Sequence, residues 1–165
     1  MLTRDDVFAV LDGVKDPEVP VLSVIELGVV RDVEMDDESA VTVVVTPTYS
    51  GCPAMRVIEE DIVAALRAHG VQHARVRTTF APAWTTDWLS DEAKRKLEAY
   101  GIAPPGRALA GDDDLIPLRR RSEVVPCPYC KSGDTELRSE FGSTACKSIR
   151  FCNACRQPFE QFKAI

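Results

Sequence analysis

Apolar residues at Val7, Val10, Leu11 and Val14 recur at helical spacing behind Thr3 and Asp6, which together form a capping-box pair. The pattern predicts a helix over 4–14, stopped at Asp16-Pro17 because a residue before proline avoids helical geometry. An irregular loop, KDPEVPVLSVIELG (15–28), keeps an apolar underside. VVRDVEM (29–35) and VTVVVTP (41–47) are rich in β-branched residues and joined by the polar turn Asp36-Asp37-Glu38-Ser39, which predicts a hairpin. Met55, Ile58, Ile62, Ala65 and Leu66 mark the buried stripe of a second helix opening at Pro53 and ending near Gly70. HARVRTTF (73–80) alternates Ala74, Val76, Thr78 and Phe80 inward against Arg75, Arg77 and Thr79, a half-buried strand. Ser90 caps a third helix, DEAKRKLEAYG, closed by Gly101 and Pro104-Pro105.

This order, α-β-β-α-β, predicts an α+β fold with a small mixed three-stranded sheet. Its β-α-β crossover makes the second and third strands parallel. The segment 104–124 reads as a linker, and 125–165 as a separate cysteine-bearing ribbon, leaving 1–103 as the α/β domain. At 165 residues, 45% hydrophobic and 28% charged, the chain can bury a core without disulfide staples. No apolar run is long enough to span a membrane, and the acidic N-terminus is unlike a secretory signal, so a cytoplasmic, reducing setting is expected. There, paired cysteines imply metal or thiol chemistry.

Charge is unevenly divided: residues 1–124 hold fourteen Lys/Arg against twenty-two Asp/Glu, and 125–165 hold six against four. An acidic body argues against a nucleic-acid partner. The one basic run, Arg119-Arg120-Arg121, reads as a solvated linker face.

Two sets of cysteines carry candidate chemistry. Cys127-x-x-Cys130 and Cys152-x-x-Cys155 have the pairing of a closed tetrahedral Zn²⁺ site. The 21 residues between them slightly exceed the usual spacing of about 15–20, which room for two hairpins explains, and the rival thioredoxin-like redox pair lacks a surrounding β-α-β pattern. A segment of this size has too little core to fold alone, so the metal is expected to be structural. Phe141, Phe151, Phe159 and Phe162 are available to pack around it or to offer a docking surface, and Cys146 is a spare thiol: buried, a substitute ligand, or a helper to Cys52.

Cys52, in TPTYSGCPAMRV, stands apart at a strand–helix junction. The predicted topology gathers Thr46, Thr48, the loop bearing Asp16, Glu18 and Glu26, and the segment after Phe80 onto its edge of the sheet. As a helix cap, Cys52 would be favoured as thiolate; the alternative is a small buried filler. The acids have bland alternatives of their own: a turn start for Asp16, a solvated side chain for Glu18, a backbone cap for Glu26. His69 and His73 lie at the far end of the second helix, roughly 25 Å away at 1.5 Å per residue, so no cysteine–histidine dyad forms. One thiolate cannot hold an iron–sulfur cluster alone, and a second protomer, a partner or a small thiol would have to complete the site. Trp84 and Trp88 lie at the same edge, where aromatics are usually core, but an exposed pair would be a partner contact.

DPEVPVLSVIELGVV and TPTYSGCPA resemble the metal–sulfur cluster biosynthesis domain of SufT-like and cytosolic iron–sulfur targeting proteins. With WTTDWLSDEAKRKLEAYGIAPP and FGSTACKSIRFCNACRQPFEQFKAI, the whole chain is similar to the PaaD family of bacterial phenylacetate degradation. The resemblance implies an accessory, non-enzymatic factor that matures a metal centre of the phenylacetyl-CoA ring epoxidase, a di-iron oxygenase with an iron–sulfur reductase. Those components and the Fe–S assembly machinery would be its partners. The cargo would be transient iron or an Fe–S cluster at Cys52, with Asp16, Glu18, Glu26 and Thr48 in support. Two other readings stay open: a structural oxygenase subunit with no metal traffic, and a thiol-dependent enzyme.

Overall fold

The computed structural model describes residues 2–36, 40–106 and 124–165, which divide into two compact units, 1–96 and 97–165. The expected turn at 37–39 and the Arg119–Arg121 run lie outside the described residues, as does most of the expected linker.

The first unit opens with α1 (Arg4–Asp12), capped by reciprocal bonds between Thr3 and Asp6. It ends two residues before the predicted limit, and Val14 is buried beyond it. β1 (Val30–Met35) pairs antiparallel with β2 (Val41–Val45), which pairs parallel with β3 (Ala74–Thr78) in the order β1-β2-β3. The crossover between β2 and β3 is α2 (Ala54–Ala68). The mixed sheet and its strand directions are those the periodicity predicts. α2 buries Ile58, Ile62 and Leu66 and packs on β3 and α1, while α1 buries Val7 and Leu11. Val33, Val43 and Val45 supply the sheet's share of this core, each worth about 1.5–3 kcal/mol of transfer free energy when fully buried.

β3 corrects one expectation. Pairing stops at Thr78, and Phe80 turns outward with 64% of its surface exposed. Beyond it, Trp84 inserts into the core and donates its indole N–H to the Leu27 carbonyl at 2.9 Å. Gly28, next to that carbonyl, sits at φ +75°, a left-handed conformation that glycine adopts without strain. A 3-10 turn (Thr86–Trp88) leads to α3 (Asp91–Ala99), whose Ala93 N–H bonds the Ser90 hydroxyl at 3.0 Å.

The boundary between the units falls within α3. The second unit then adds β4 (Ile102–Ala103), β5 (Thr135–Ser139), β6 (Lys147–Cys152) and β7 (Pro158–Phe162) in the order β4-β7-β6-β5. β5, β6 and β7 form the antiparallel ribbon; β4 joins it parallel to β7 through Ile102↔Glu160 and Ala103↔Gln161. Two residues carry no periodicity, so this strand is invisible in the sequence. Phe159 and Phe162 are buried, Phe151 is half-buried, and Phe141 is exposed.

Candidate functional site

The ribbon gathers Cys127, Cys130, Cys152 and Cys155 so that their sulfurs all lie within 4.8 Å of one another. Cys127 and Cys155 Sγ are 3.7 Å apart, and Cys130 and Cys152 Sγ 3.5 Å. A tetrahedron with 2.3 Å zinc–sulfur bonds has edges of roughly 3.8 Å, so the four thiols fit one tetrahedral ion. Each Cys-x-x-Cys turn closes the same way. Lys131 N–H bonds the Cys127 carbonyl and Arg156 N–H the Cys152 carbonyl, both at 2.9 Å. The backbone N–H of Cys155 draws the Cys152 thiol down to about 7, whereas burial and the neighbouring sulfurs push Cys155 up to about 12. Four sulfurs this close cannot all ionise without a cation among them, which is the charge a divalent metal bound here would supply. Ala103, Val125 and Phe159 form the apolar wall of the site.

Cys146 is not part of this cluster. It is buried, with its sulfur 3.0 Å from the Thr144 hydroxyl.

In the first unit, Cys52 lies one residue before the cap of α2, because Pro53 takes the N-cap position and the helix opens at Ala54. The half-buried thiol is hydrogen-bonded by the Ala54 N–H and the Thr48 hydroxyl, and it feels the charges of Glu18 and Asp16. Burial pushes the thiol up, the two hydrogen bonds pull it down, and the two carboxylates push it up again; the net displacement is upward. The expected thiolate character is therefore overturned. At the helix terminus the backbone N–H does favour the anion, but partial desolvation and two nearby negative charges outweigh it.

Asp16 is buried, and its Oδ1 accepts from the backbone N–H groups of Glu18 and Val19, both at 2.8 Å. The same carboxylate thus shapes the loop and charges the site. Glu26 is directed elsewhere: it accepts from the Ser23 N–H at 2.9 Å and pairs with Lys96 and Lys15. Burial would raise its carboxyl, but Lys96, the Ser23 N–H and Lys15 outweigh burial and hold it below the ordinary value. Thr48 is buried beside Cys52. Thr46, just past β2, buries a hydroxyl with no hydrogen-bond partner among the described residues.

The aromatic pair separates. Trp84 is 4% exposed with its N–H engaged, which removes it from any docking surface; Trp88 is half-buried under the Arg31 guanidinium, 3.6 Å from the ring centroid. Among the described residues, the four-thiol cluster is the one group of three or more His, Cys, Asp or Glu ligand atoms drawn together. Cys52, Asp16 and Glu18 share a field without forming a ready-made cage. Sequence reasoning did not single out Lys96, Lys131 or Arg156. For the last two a signal existed: each follows a Cys-x-x-Cys turn, a place where glycine is favoured.

Comparison with known proteins follows this division. Residues 4–76 match the family model for iron–sulfur cluster assembly proteins, and residues 112–163 match that for the PaaD zinc beta ribbon domain. The chain is 43% identical over 160 residues to an Escherichia coli protein named as a putative component of 1,2-phenylacetyl-CoA epoxidase, covering 97% of this chain and 92% of that one. It is 36% identical over 96 residues to an Fe-S protein maturation auxiliary factor of Porphyromonas gingivalis, covering 58% of this chain and 90% of the relative. A DUF59 domain of Bacillus anthracis superposes with a TM-score of 0.53 at 29% identity, over 57% of this chain and 90% of that one. A conserved hypothetical protein of Thermotoga maritima does so with 0.51 at 36%, over 58% and 94%.

Proposed function

The chain belongs to the PaaD family of phenylacetyl-CoA epoxidase proteins, built from an iron–sulfur assembly domain and a zinc ribbon, and from that premise we propose that it is an accessory factor carrying iron or an Fe–S cluster to a component of the epoxidase. Relatives of its first domain are named as maturation auxiliary factors rather than enzymes, which supports an assisting role. The observation that carries the reading is the setting of Cys52, a half-buried thiol bonded by Thr48 and flanked by Glu18 and Asp16 at the start of α2.

This setting suits a transient ligand. When empty, the raised thiol stays protonated near neutral pH and so resists oxidation and alkylation, since the thiolate is the reactive form. Cargo binding displaces that proton as the metal–sulfur bond forms, and the nearby carboxylates offset the positive charge that arrives. A single protein thiolate leaves the remaining coordination positions to a partner, so hand-over requires breaking few bonds. Asp16, Glu18 and Thr48 act as supporting groups. Glu26 serves the same edge indirectly, by fixing the loop through Ser23 and Lys96.

The client components are the oxygenase and the iron–sulfur reductase, with Fe–S assembly proteins as the source of cargo. The test is anaerobic reconstitution with iron and sulfide, followed by iron analysis and absorption spectra of wild type and Cys52→Ser. Cys52→Ser is expected to lose the iron held above the ribbon's own metal; equal iron in both sinks the assignment. A parallel arm complements a deletion strain with Cys52→Ala and measures the metal content of both client components. Full occupancy there would favour a purely structural role in the complex, a reading that the Escherichia coli relative's name as an epoxidase component keeps open.

A further inference from the structure

Lys131 and Arg156 hold φ values of +64° and +63°, and they are the non-glycine residues with positive φ among the described residues. Each directly follows the second cysteine of a Cys-x-x-Cys turn. An L side chain there is strained where glycine would not be. Strain repeated at two equivalent positions, by a cation each time, points to a use for the side chains.

Their contacts indicate what the use is. Lys131 folds back over its own turn, its ammonium 3.0 Å from the Pro128 carbonyl and 2.6 Å from Glu98 Oε1. Arg156 lies over the ring of Phe151, 5.4 Å from the centroid, and its backbone N–H closes the second turn on the Cys152 carbonyl at 2.9 Å. The Lys131 ammonium is thus held against the turn that bears it, and Arg156 is anchored to its own turn through its backbone. Four thiolates around a divalent ion carry two more negative charges than positive ones, and the apolar wall of Ala103, Val125 and Phe159 offers nothing to balance them. Peptide N–H groups help, but they are dipoles.

We propose that Lys131 and Arg156 are the counter-charges of the four-thiolate centre, and that they set how long the ribbon retains its metal. Both are positioning residues, since neither is a ligand. At the distances of neighbouring side chains in partly solvated surroundings, loss of one such charge changes retention by roughly three- to tenfold.

The experiment uses the full-length zinc-loaded chain and follows metal transfer to a chromogenic chelator at low and high salt. Arg156→Gln keeps the strained backbone but loses the charge, and Arg156→Lys keeps both; Lys131→Gln and Lys131→Arg form the matching pair. Faster release from the Gln variants, with wild-type rates in the charge-keeping variants and a difference that shrinks in high salt, is the expected result. Arg156→Gly and Lys131→Gly relieve the strain, so they guard against a variant that fails to fold. Under the counter-charge assignment the Gly variants also release zinc faster. Gln variants releasing zinc at the wild-type rate at low salt, or Gly variants retaining it longer than wild type, would overturn the proposal.

Discussion

Removing the ribbon's metal should unfold β5, β6 and β7 and leave β1, β2, β3 and α2 intact. Besides its cysteines the second unit buries Leu97, Ile102, Val125, Phe159 and Phe162 as full-sized apolar side chains, with the smaller Ala103 adding less. At about 1.5–3 kcal/mol each, these five supply about 7.5–15 kcal/mol. A four-thiolate zinc site supplies about 10–16 kcal/mol at neutral pH, more than the net stability of many whole domains. The metal term is therefore as large as the whole apolar term, and its loss leaves thiols packed 3.5 and 3.7 Å apart with no ion between them. Hydrogen–deuterium exchange with mass spectrometry reads the outcome strand by strand, before and after chelation, with native mass confirming one ion lost. Amides of 135–139, 147–152 and 158–162 should lose protection while those of 41–45 and 54–68 keep it. Retained protection in β5–β7 after confirmed metal loss would refute the reasoning.

Three further outcomes follow from single contacts. Trp84→Phe leaves the buried Leu27 carbonyl without its indole donor and should destabilise the first unit by about 1–3 kcal/mol in urea unfolding; an unchanged midpoint would show that the carbonyl finds another partner. Glu18→Gln removes a charge that raises the Cys52 thiol, so alkylation of Cys52 followed against pH should show its inflection at lower pH than wild type; no movement would mean that burial alone sets the thiol. Glu26, held below the ordinary carboxyl value, contributes stability that is present above its unfolded value of roughly 4.3 and is lost as pH falls through the folded value. Glu26→Gln should therefore flatten part of the acid limb of stability against pH, by no more than about 1 kcal/mol because Lys96 is partly exposed. A superimposable acid limb would count against the pairing.

The core of the first unit was legible because its signals are local and repeated. Ile58, Ile62 and Leu66 share a helical stripe, Val33, Val43 and Val45 a strand period, and the helix between β2 and β3 dictates their parallel pairing. Four cysteines at fixed spacing likewise announced their own cluster. What stayed hidden depended on contacts distant in sequence or on single residues. β4 has two residues and exists only because β7 offers an edge. Trp84 and Trp88 could not be told apart as core or contact residues until the Leu27 carbonyl, 57 positions away, engaged the Trp84 indole. Glu26 looked like a site acid, yet Lys96, 70 positions later, claims its carboxylate.

The Cys52 thiol shows the same limit in energetic form. A cap position argues for thiolate by a local dipole, and the Ala54 N–H does act in that direction. Burial and the charges of Glu18 and Asp16 act the other way and win, and none of these can be weighed from the spacing of residues. The two cysteine settings consequently solve opposite problems. The ribbon supplies all four ligands in a closed set, so its ion is retained and serves the fold. Cys52 supplies one sulfur beside two carboxylates, too few protein ligands to keep a metal by themselves. Under the proposed carrier role that is the arrangement required, because cargo held as tightly as a closed four-thiolate set holds its ion could not be delivered.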